Sequence, residues 1–335
     1  MKRRVASRLV PVRRAAFLLL LVACGSRTGL FVDGSGEEDN LPGVDAGRDG
    51  NVVPPKDAGR DSHIEPDALP PIDATPPRDA NRTDCPDAEA TLVYLITSAN
   101  ELYSFDPGSV AMKKIGNIAC PANPGATPFS MAVDRKGIAY ILFSDRGAGV
   151  DDGRLFRVST ANAACISTSF VPNQHGFLRF GMGFAANTVG PTETLYVAGS
   201  EQDNGATGLA RIDIPSFKLS KVGNFRPDIG NAELTGTGDG RLYGFYADNT
   251  SSPAFIGEID TQTGHIVGQT QMKTVTLGNG WAFAFWGGDF YMFTSPGGGF
   301  STITRYRPSD NTEAVVGSVP TVVVGAGVST CAPAQ

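Results

Sequence analysis

From about residue 85 onward the chain alternates short apolar, β-rich runs with breaks at Gly, Asp, Asn or Pro, a pattern of strands joined by tight turns. The runs repeat. A tyrosine ends one run in each unit: TLVY at Tyr94, GIAY at Tyr140, ETLY at Tyr196, GRLY at Tyr243 and GDFY at Tyr291, at spacings of 46, 56, 47 and 48. A second run follows each, LYSFD ending at Asp106, LFRVS at Ser159, LARID at Asp213, IGEID at Asp260 and ITRYR at Arg307. A late Val/Ile-Gly pair marks a third, at Ile115-Gly116, Val222-Gly223, Val267-Gly268 and Val316-Gly317; the second unit has ACISTSF instead. A fourth run precedes every tyrosine but the first and carries a small residue between larger ones: Ala132, Gly183, Gly236 and Ala284.

Four strands in a unit of about 45–50 residues predict an all-β fold, a β-propeller of four-stranded blades. Small residues suit the innermost strands, which converge on a narrow axis. The first unit lacks its innermost strand, and the chain ends with a spare one, VVVGAGVST, with Gly327 in the small slot. The last strand is therefore expected to close the first blade and remove open edges. Five blades follow from the count; six would need a cryptic blade in the longer unit between Tyr140 and Tyr196.

The first 84 residues break this pattern. Residues 1–14 hold Lys2, Arg3, Arg4, Arg8, Arg13 and Arg14 and no acid, and an apolar run, residues 15–23, follows. Nine helical residues rise only ~14 Å, short of the ~30 Å hydrocarbon core, so residues 1–23 read as a signal peptide. Leu21-Val22-Ala23-Cys24 matches the lipobox of bacterial lipoproteins. That resemblance implies lipidation of Cys24 and anchoring in a membrane through the lipid, with Gly25 consistent with outer-membrane sorting, on either the periplasmic or the cell-surface side. Residues 24–84 follow as a tether. No Phe, Trp or Tyr occurs between Val32 and Val93, and Gly25–Asp84 holds 13 Asp and Glu against 6 Lys and Arg. Such a stretch cannot offset its backbone entropy by burial and is expected to be a disordered linker. The propeller is expected over 85–335.

Composition narrows the function. Gly (41) and Pro (23) are abundant, charged residues are 19% of the 335, and net charge is −6, falling to −12 without the six N-terminal cations. An acidic surface argues against nucleic acid as a partner. Three His and no clustered ligand motif argue against a metal site or cofactor. Calcium at the loop DRGAGVDDG (Asp145, Asp151, Asp152) is weighed against a plain acidic turn, which the sequence favours; DAGRDG in the tether lacks the needed ligands at Gly47 and Lys56. Four cysteines besides Cys24 in an exported chain suggest two disulfides. Cys85 and Cys331 flank the ends that must meet in the closing blade, and Cys120 and Cys165 lie at outer strands of blades one and two. The expected pairs are Cys85–Cys331 and Cys120–Cys165.

The blade pattern, clearest in FIGEIDTQTGHIVG, resembles the YVTN, NHL and quinoprotein-like propeller superfamilies. WAFAFWGGDFY, RYRPSD and VGAGVSTCAP, together with the Asp/Pro-rich tether, resemble a group of outer-membrane lipoproteins of myxobacteria and their relatives. This resemblance implies location and fold and carries no activity.

Candidate chemistry gathers where the inner strands begin. Aligned on the small residue, Phe129, Phe180, Glu233, Trp281 and Val324 share one rung, with Arg179 one position before Phe180. A sugar ring stacked on Trp281, with hydroxyls bonded to Arg179 and Glu233, is one reading. The plainer one has the aromatics packing between blades and Glu233 paired with Arg179. A glycosidase needs two carboxylates about 5–9.5 Å apart; the candidates Asp134 and Glu233 fall at opposite ends of their strands. His175 and His265 have no nucleophile motif nearby. The expectation is a cell-envelope lipoprotein whose propeller binds a glycan or an envelope protein without catalysis. A polysaccharide-processing enzyme and a purely structural surface protein are the alternatives. The sequence leaves the oligomeric state open.

Overall fold

The computed structural model describes residues 92–144, 153–188, 191–199, 207–247 and 252–333. The signal peptide, Cys24, the tether, Cys85 and the Asp145–Asp152 segment lie outside the described residues.

Five four-stranded antiparallel sheets are strung along the chain. Blade 1 holds β1 (Val93–Thr97), β2 (Glu101–Asp106) and β3 (Ala111–Asn117). Blade 2 holds β4 (Thr127–Val133), β5 (Ile138–Ser144), β6 (Arg154–Ser159) and β7 (Cys165–Ser167). Blade 3 is β8 (Phe180–Ala186), β9 (Glu193–Gly199), β10 (Gly208–Asp213) and β11 (Lys218–Gly223). Blade 4 is β12 (Ala232–Gly236), β13 (Leu242–Tyr246), β14 (Pro253–Ile259) and β15 (Ile266–Thr276). Blade 5 is β16 (Trp281–Trp286), β17 (Asp289–Thr294), β18 (Ser301–Arg307) and β19 (Thr312–Val319). The last strand, β20 (Val323–Val328), pairs antiparallel with β1 and becomes the innermost strand of blade 1. The ring is thus closed by the two ends of the propeller, and it has five blades, as the repeat count predicts.

The inner strands β4, β8, β12, β16 and β20 touch their neighbours in a ring around the axis. They all run from one face, here the upper, to the other, the lower. Each of the five seams between blades holds its own buried apolar cluster, for instance Tyr140, Met182, Phe184 and Leu195 between blades 2 and 3. Aromatic rings bridge seams edge-on or tilted, as Tyr140 and Phe184 do at 5.6 Å and Phe105 and Phe293 do at 5.6 Å.

The sequence marks have distinct structural causes. Each marker tyrosine lies on the second strand of its blade, and in four blades it faces the small residue of the inner strand: Tyr94 with Gly327, Tyr140 with Ala132, Tyr196 with Gly183 and Tyr291 with Ala284. Blade 4 departs from the expected register. Tyr243 faces Thr235, and Gly236 lies one step further, against Leu242. Thr235 keeps the slot because its hydroxyl accepts the N–H of Phe285 on the next inner strand, at 3.2 Å. The Val/Ile-Gly pairs are β-bulges. Ile115, Val222, Val267 and Val316 are each the extra residue skipped as the outer strand pairs with the third one. Bulges add twist, which an outer strand at the widest part of a blade needs. Blade 2, which lacks the mark, has an outer strand of only three residues and no register shift. There the disulfide Cys120–Cys165 (Cα–Cα 5.2 Å) ties the short strand to the chain leaving blade 1, as expected. Cys331 is disulfide-bonded as well, and its partner lies outside the described residues.

Candidate functional site

The inner strands meet so closely that the axis is nearly solid. A Cβ on Gly181 would lie 2.0 Å from the carbonyl oxygen of Ala232, and one on Gly325 would lie 2.8 Å from the N of Met131. The gap that remains, lined by Ala132, Gly183, Thr235, Gly236, Ala326 and Gly327 among others, is too narrow for a water molecule.

Into this axis the fold places Glu233. The true register sets it level with Ser130, Gly181, Ala282 and Gly325, one step below the expected rung of Phe129, Phe180, Trp281 and Val324. The difference arises because Thr235, and not Gly236, occupies the small slot of blade 4. The side chain of Glu233 is buried and its Oε2 accepts a hydrogen bond from Ser130 Oγ at 2.7 Å, across the ring from blade 4 to blade 2. Ser130 Oγ in turn accepts the N–H of Met182 at 3.0 Å, and that N–H also bonds to the carboxyl of Glu233. Burial holds the Glu233 carboxyl well above the usual carboxylate range, against the pull of these two donors. This buried, hydrogen-bonded carboxyl joins blades 2, 3 and 4.

The other residues expected at the upper mouth are spread by function. Arg179 is buried, with its guanidinium carbon 5.9 Å from the Phe129 ring centroid, and Phe180 is fully buried in the seam between blades 2 and 3. Trp281 differs. It is half-buried against the seam of blades 4 and 5, and its indole N–H has no acceptor among the described residues. Beside it, the connection Ser295–Phe300 is pinned to the start of β16, with Ser295 N–H donating to Gly280 O (2.9 Å) and Asn279 N–H to Ser295 O (3.0 Å). Gly298 and Gly299 take positive φ there, and Phe300 stands out, 54% exposed. Blade 5 therefore presents two aromatic side chains on the upper face.

The lower face holds a cluster that nothing in the sequence signals. Glu193, the first residue of β9, accepts the backbone N–H of Arg135 on Oε1 (2.7 Å) and the hydroxyl of Thr330 on Oε2 (2.8 Å). Burial, reinforced by the nearby charge of Asp134, pushes its carboxyl up to about 7 despite the two donors. Asp134 is a turn residue, as expected: it accepts the N–H groups of Lys136 (2.9 Å) and Ile138 (2.8 Å), and burial raises its carboxyl too. Glu193 also forms part of the wall of an open depression of about 390 Å³ with Thr194, Arg211, Asp213, Pro215 and Ser220. Its partners sit 58 and 137 positions away in the chain, so local pattern carries no sign of the cluster.

Asp134 and Glu233 lie toward opposite faces, at the lower end of β4 and near the upper end of β12. His175 and His265 are both exposed. Among the described residues no group of three or more His, Cys, Asp or Glu side chains is placed to hold a metal ion, and no helix is long and apolar enough to cross a membrane.

No family model matches the chain, and no curated protein matches it. Solved structures do. A nidogen/laminin complex matches at 11% identity over 71% of this chain and 97% of that one, with a TM-score of 0.42. The hydrazine synthase of Kuenenia stuttgartiensis matches at 14% identity over 68% of this chain and 63% of that one, at 0.38. A luciferin-regenerating enzyme matches at 12% identity over 71% and 92%, at 0.35. These neighbours have mixed functions, and at such scores nothing of what they bind or do carries over.

Proposed function

We propose that this chain is an outer-membrane lipoprotein, anchored through Cys24, whose tethered propeller binds an envelope glycan or protein through its upper face and catalyses no reaction. One observation carries the reading: two aromatic side chains, half-buried Trp281 and exposed Phe300, stand at the upper face of blade 5. A half-buried indole and an exposed phenyl ring suit a sugar, which offers an apolar ring face to stack on them. Against catalysis stand the opposite placement of Asp134 and Glu233 and the engagement of Glu233 with Ser130 and Met182.

The test is a thermal-shift screen of the detergent-solubilised full chain against envelope polysaccharides and oligosaccharides. Saturation at about 100 times the dissociation constant adds ~2.7 kcal/mol of stability. A glycan that raises Tm in the wild type and not in Trp281→Ala supports the reading. Equal shifts in both chains place binding elsewhere. Release of new reducing ends from the bound glycan would replace a binding module with an enzyme. The anchor is tested separately, by labelled palmitate, which Cys24→Ala should fail to incorporate.

A further inference from the structure

In three blades the marker tyrosine faces an arginine on the third strand: Tyr140 faces Arg157, Tyr196 faces Arg211 and Tyr291 faces Arg305. In blade 5 that arginine has a carboxylate beside it. Asp289, two residues before Tyr291 and only 6% exposed, places Oδ2 at 3.7 Å from Arg305 Nε and accepts from Nε (3.1 Å) and Nη2 (3.0 Å) of Arg307. In blade 2 the charge of Arg157 acts on Asp134. Blade 4 exchanges the signs: Glu258 faces Tyr243, and Arg241, two residues before that tyrosine, pairs with Asp239 at 3.1 Å. In blade 3 the place of Asp289, two residues before Tyr196, belongs to Thr194, whose hydroxyl donates to Asn187 Oδ1 (2.8 Å). Arg211 is therefore left exposed, with no hydrogen bond or ion pair among the described residues.

Where blade 3 lacks that carboxylate it has the open depression of about 390 Å³, a size that suits a small ligand. We propose that this depression binds a sugar acid, whose carboxylate takes on Arg211 the part that Asp289 takes on Arg305. The planar guanidinium fork matches a carboxylate. Ser220, opposite Arg211 in the β10–β11 pairing, adds a hydroxyl with no partner among the described residues. Lys218, opposite Asp213, brings a second cation to the rim. The rest of the wall selects what surrounds the carboxylate. Asp213 accepts the N–H (3.1 Å) and the hydroxyl of Ser216 on Oδ2, which leaves Oδ1 as an acceptor. Glu193 accepts one donor on each oxygen, and each oxygen has a further lone pair. These two carboxyls repel a bare inorganic anion and accept from ring hydroxyls. Ile214 and Pro215 offer apolar contact to the ring itself. A carboxylate with hydroxyls on the adjoining carbons, as in a uronic acid, meets all of these groups at once. The site is on the lower face, and it stands independently of the aromatic pair on the upper face.

The test titrates galacturonate, glucuronate and mannuronate into the detergent-solubilised full chain, followed by NMR of the ligand. The methyl esters of the same sugars and inorganic phosphate are the comparisons. At least one uronate should bind about tenfold more tightly than its methyl ester and than phosphate, the effect of one hydrogen bond between charged groups. Arg211→Gln should weaken that binding by a similar factor. Thr194→Asp should do the same with Arg211 still in place, because it gives the guanidinium the carboxylate that blade 5 supplies from its own chain. Trp281→Ala should leave uronate binding unaltered, which separates this site from the upper face. The proposal is overturned if none of the three uronates binds, if an ester or phosphate binds as tightly, if either Arg211→Gln or Thr194→Asp keeps the wild-type affinity, or if Trp281→Ala removes the binding.

Discussion

Gly181 shows how a single residue holds the ring together. Its hydrogen is what allows β8 to lie against β12, because an added methyl would meet the backbone oxygen of Ala232 at 2.0 Å and the Cα of Glu233 at 2.8 Å. Neither neighbour can rotate away, as both atoms belong to a backbone already paired with β13. Overpacking of a core usually costs ~1–3 kcal/mol where side chains can yield. Here the only relief is to push the two blades away from each other, so Gly181→Ala is expected to lose at least the upper end of that range in urea unfolding. Gly287, which has open space around its Cβ, is the comparison. Its φ is +62°, so Gly287→Asn, a residue that tolerates the left-handed region, should be close to neutral. Ser130 and Thr235 solve the same problem by the opposite means: where the next strand stands further off, a hydroxyl fills the space and takes its N–H.

At the scale of an element, β20 has the most consequences. It supplies the inner edge of blade 1, pairing from Val93 with Val328 to Thr97 with Val323. It also contributes Val323, Ala326 and Val328 to the seam with blade 5. Its loss would uncover the edge of β1, whose five residues Val93–Thr97 are all buried in the closed ring. Such an edge is apolar and uncharged, the kind that pairs with other chains. A chain ending at Val322 is therefore expected to aggregate instead of forming a four-and-a-half-bladed monomer, as followed by light scattering and size-exclusion chromatography. A soluble monomer of unchanged Tm would show that blade 1 does not need its inner strand. The outer strands carry less. Their bulged Val/Ile-Gly positions adjust twist at the rim, and Val267 and Val315 there are exposed.

For the whole molecule the buried carboxyls set an unusual dependence on pH. Glu193, Glu233 and Asp134 are all raised, each chiefly by burial. A carboxyl raised by folding favours the fold while protonated. Its contribution is complete below the unfolded value and is lost as pH rises through the folded one. For Glu193 that window runs from 4.5 to about 7, and a shift of that size corresponds to on the order of 3 kcal/mol. Glu101 and Asp106 shift the opposite way, by hydrogen bonds from Lys114 and from Ser109 at the surface, where such pairs contribute little. Stability should therefore be greater at pH 5 than at pH 8, measured by urea unfolding at constant ionic strength, and Glu193→Gln should flatten the slope. A wild-type profile that rises from pH 5 to pH 8 would falsify the assignment of these three carboxyls.

The division between what is legible in the sequence and what is not follows the range of each interaction. Blade count, strand order and closure by the last strand rest on features repeated along the chain, and repetition makes them readable without a structure; the Cys120–Cys165 bond is readable from where the repeats place its two cysteines. The Val/Ile-Gly pairs are visible as a mark, yet their meaning as bulges needs the pairing of neighbouring strands. Glu233 stands out in the sequence, but one step off its rung, because ELTG offers a glycine beside the threonine that holds the slot. Its hydrogen bonds to Ser130 and Met182 join three blades, and no spacing within one blade encodes them. Glu193 goes unmarked for the same reason, since its partners come from the turn after β4 and from the last residues of the ring. Local chemistry determined the blades. Which carboxyls are buried was decided only when five such units closed around one axis, because burial is a property of the closed ring and of no single blade.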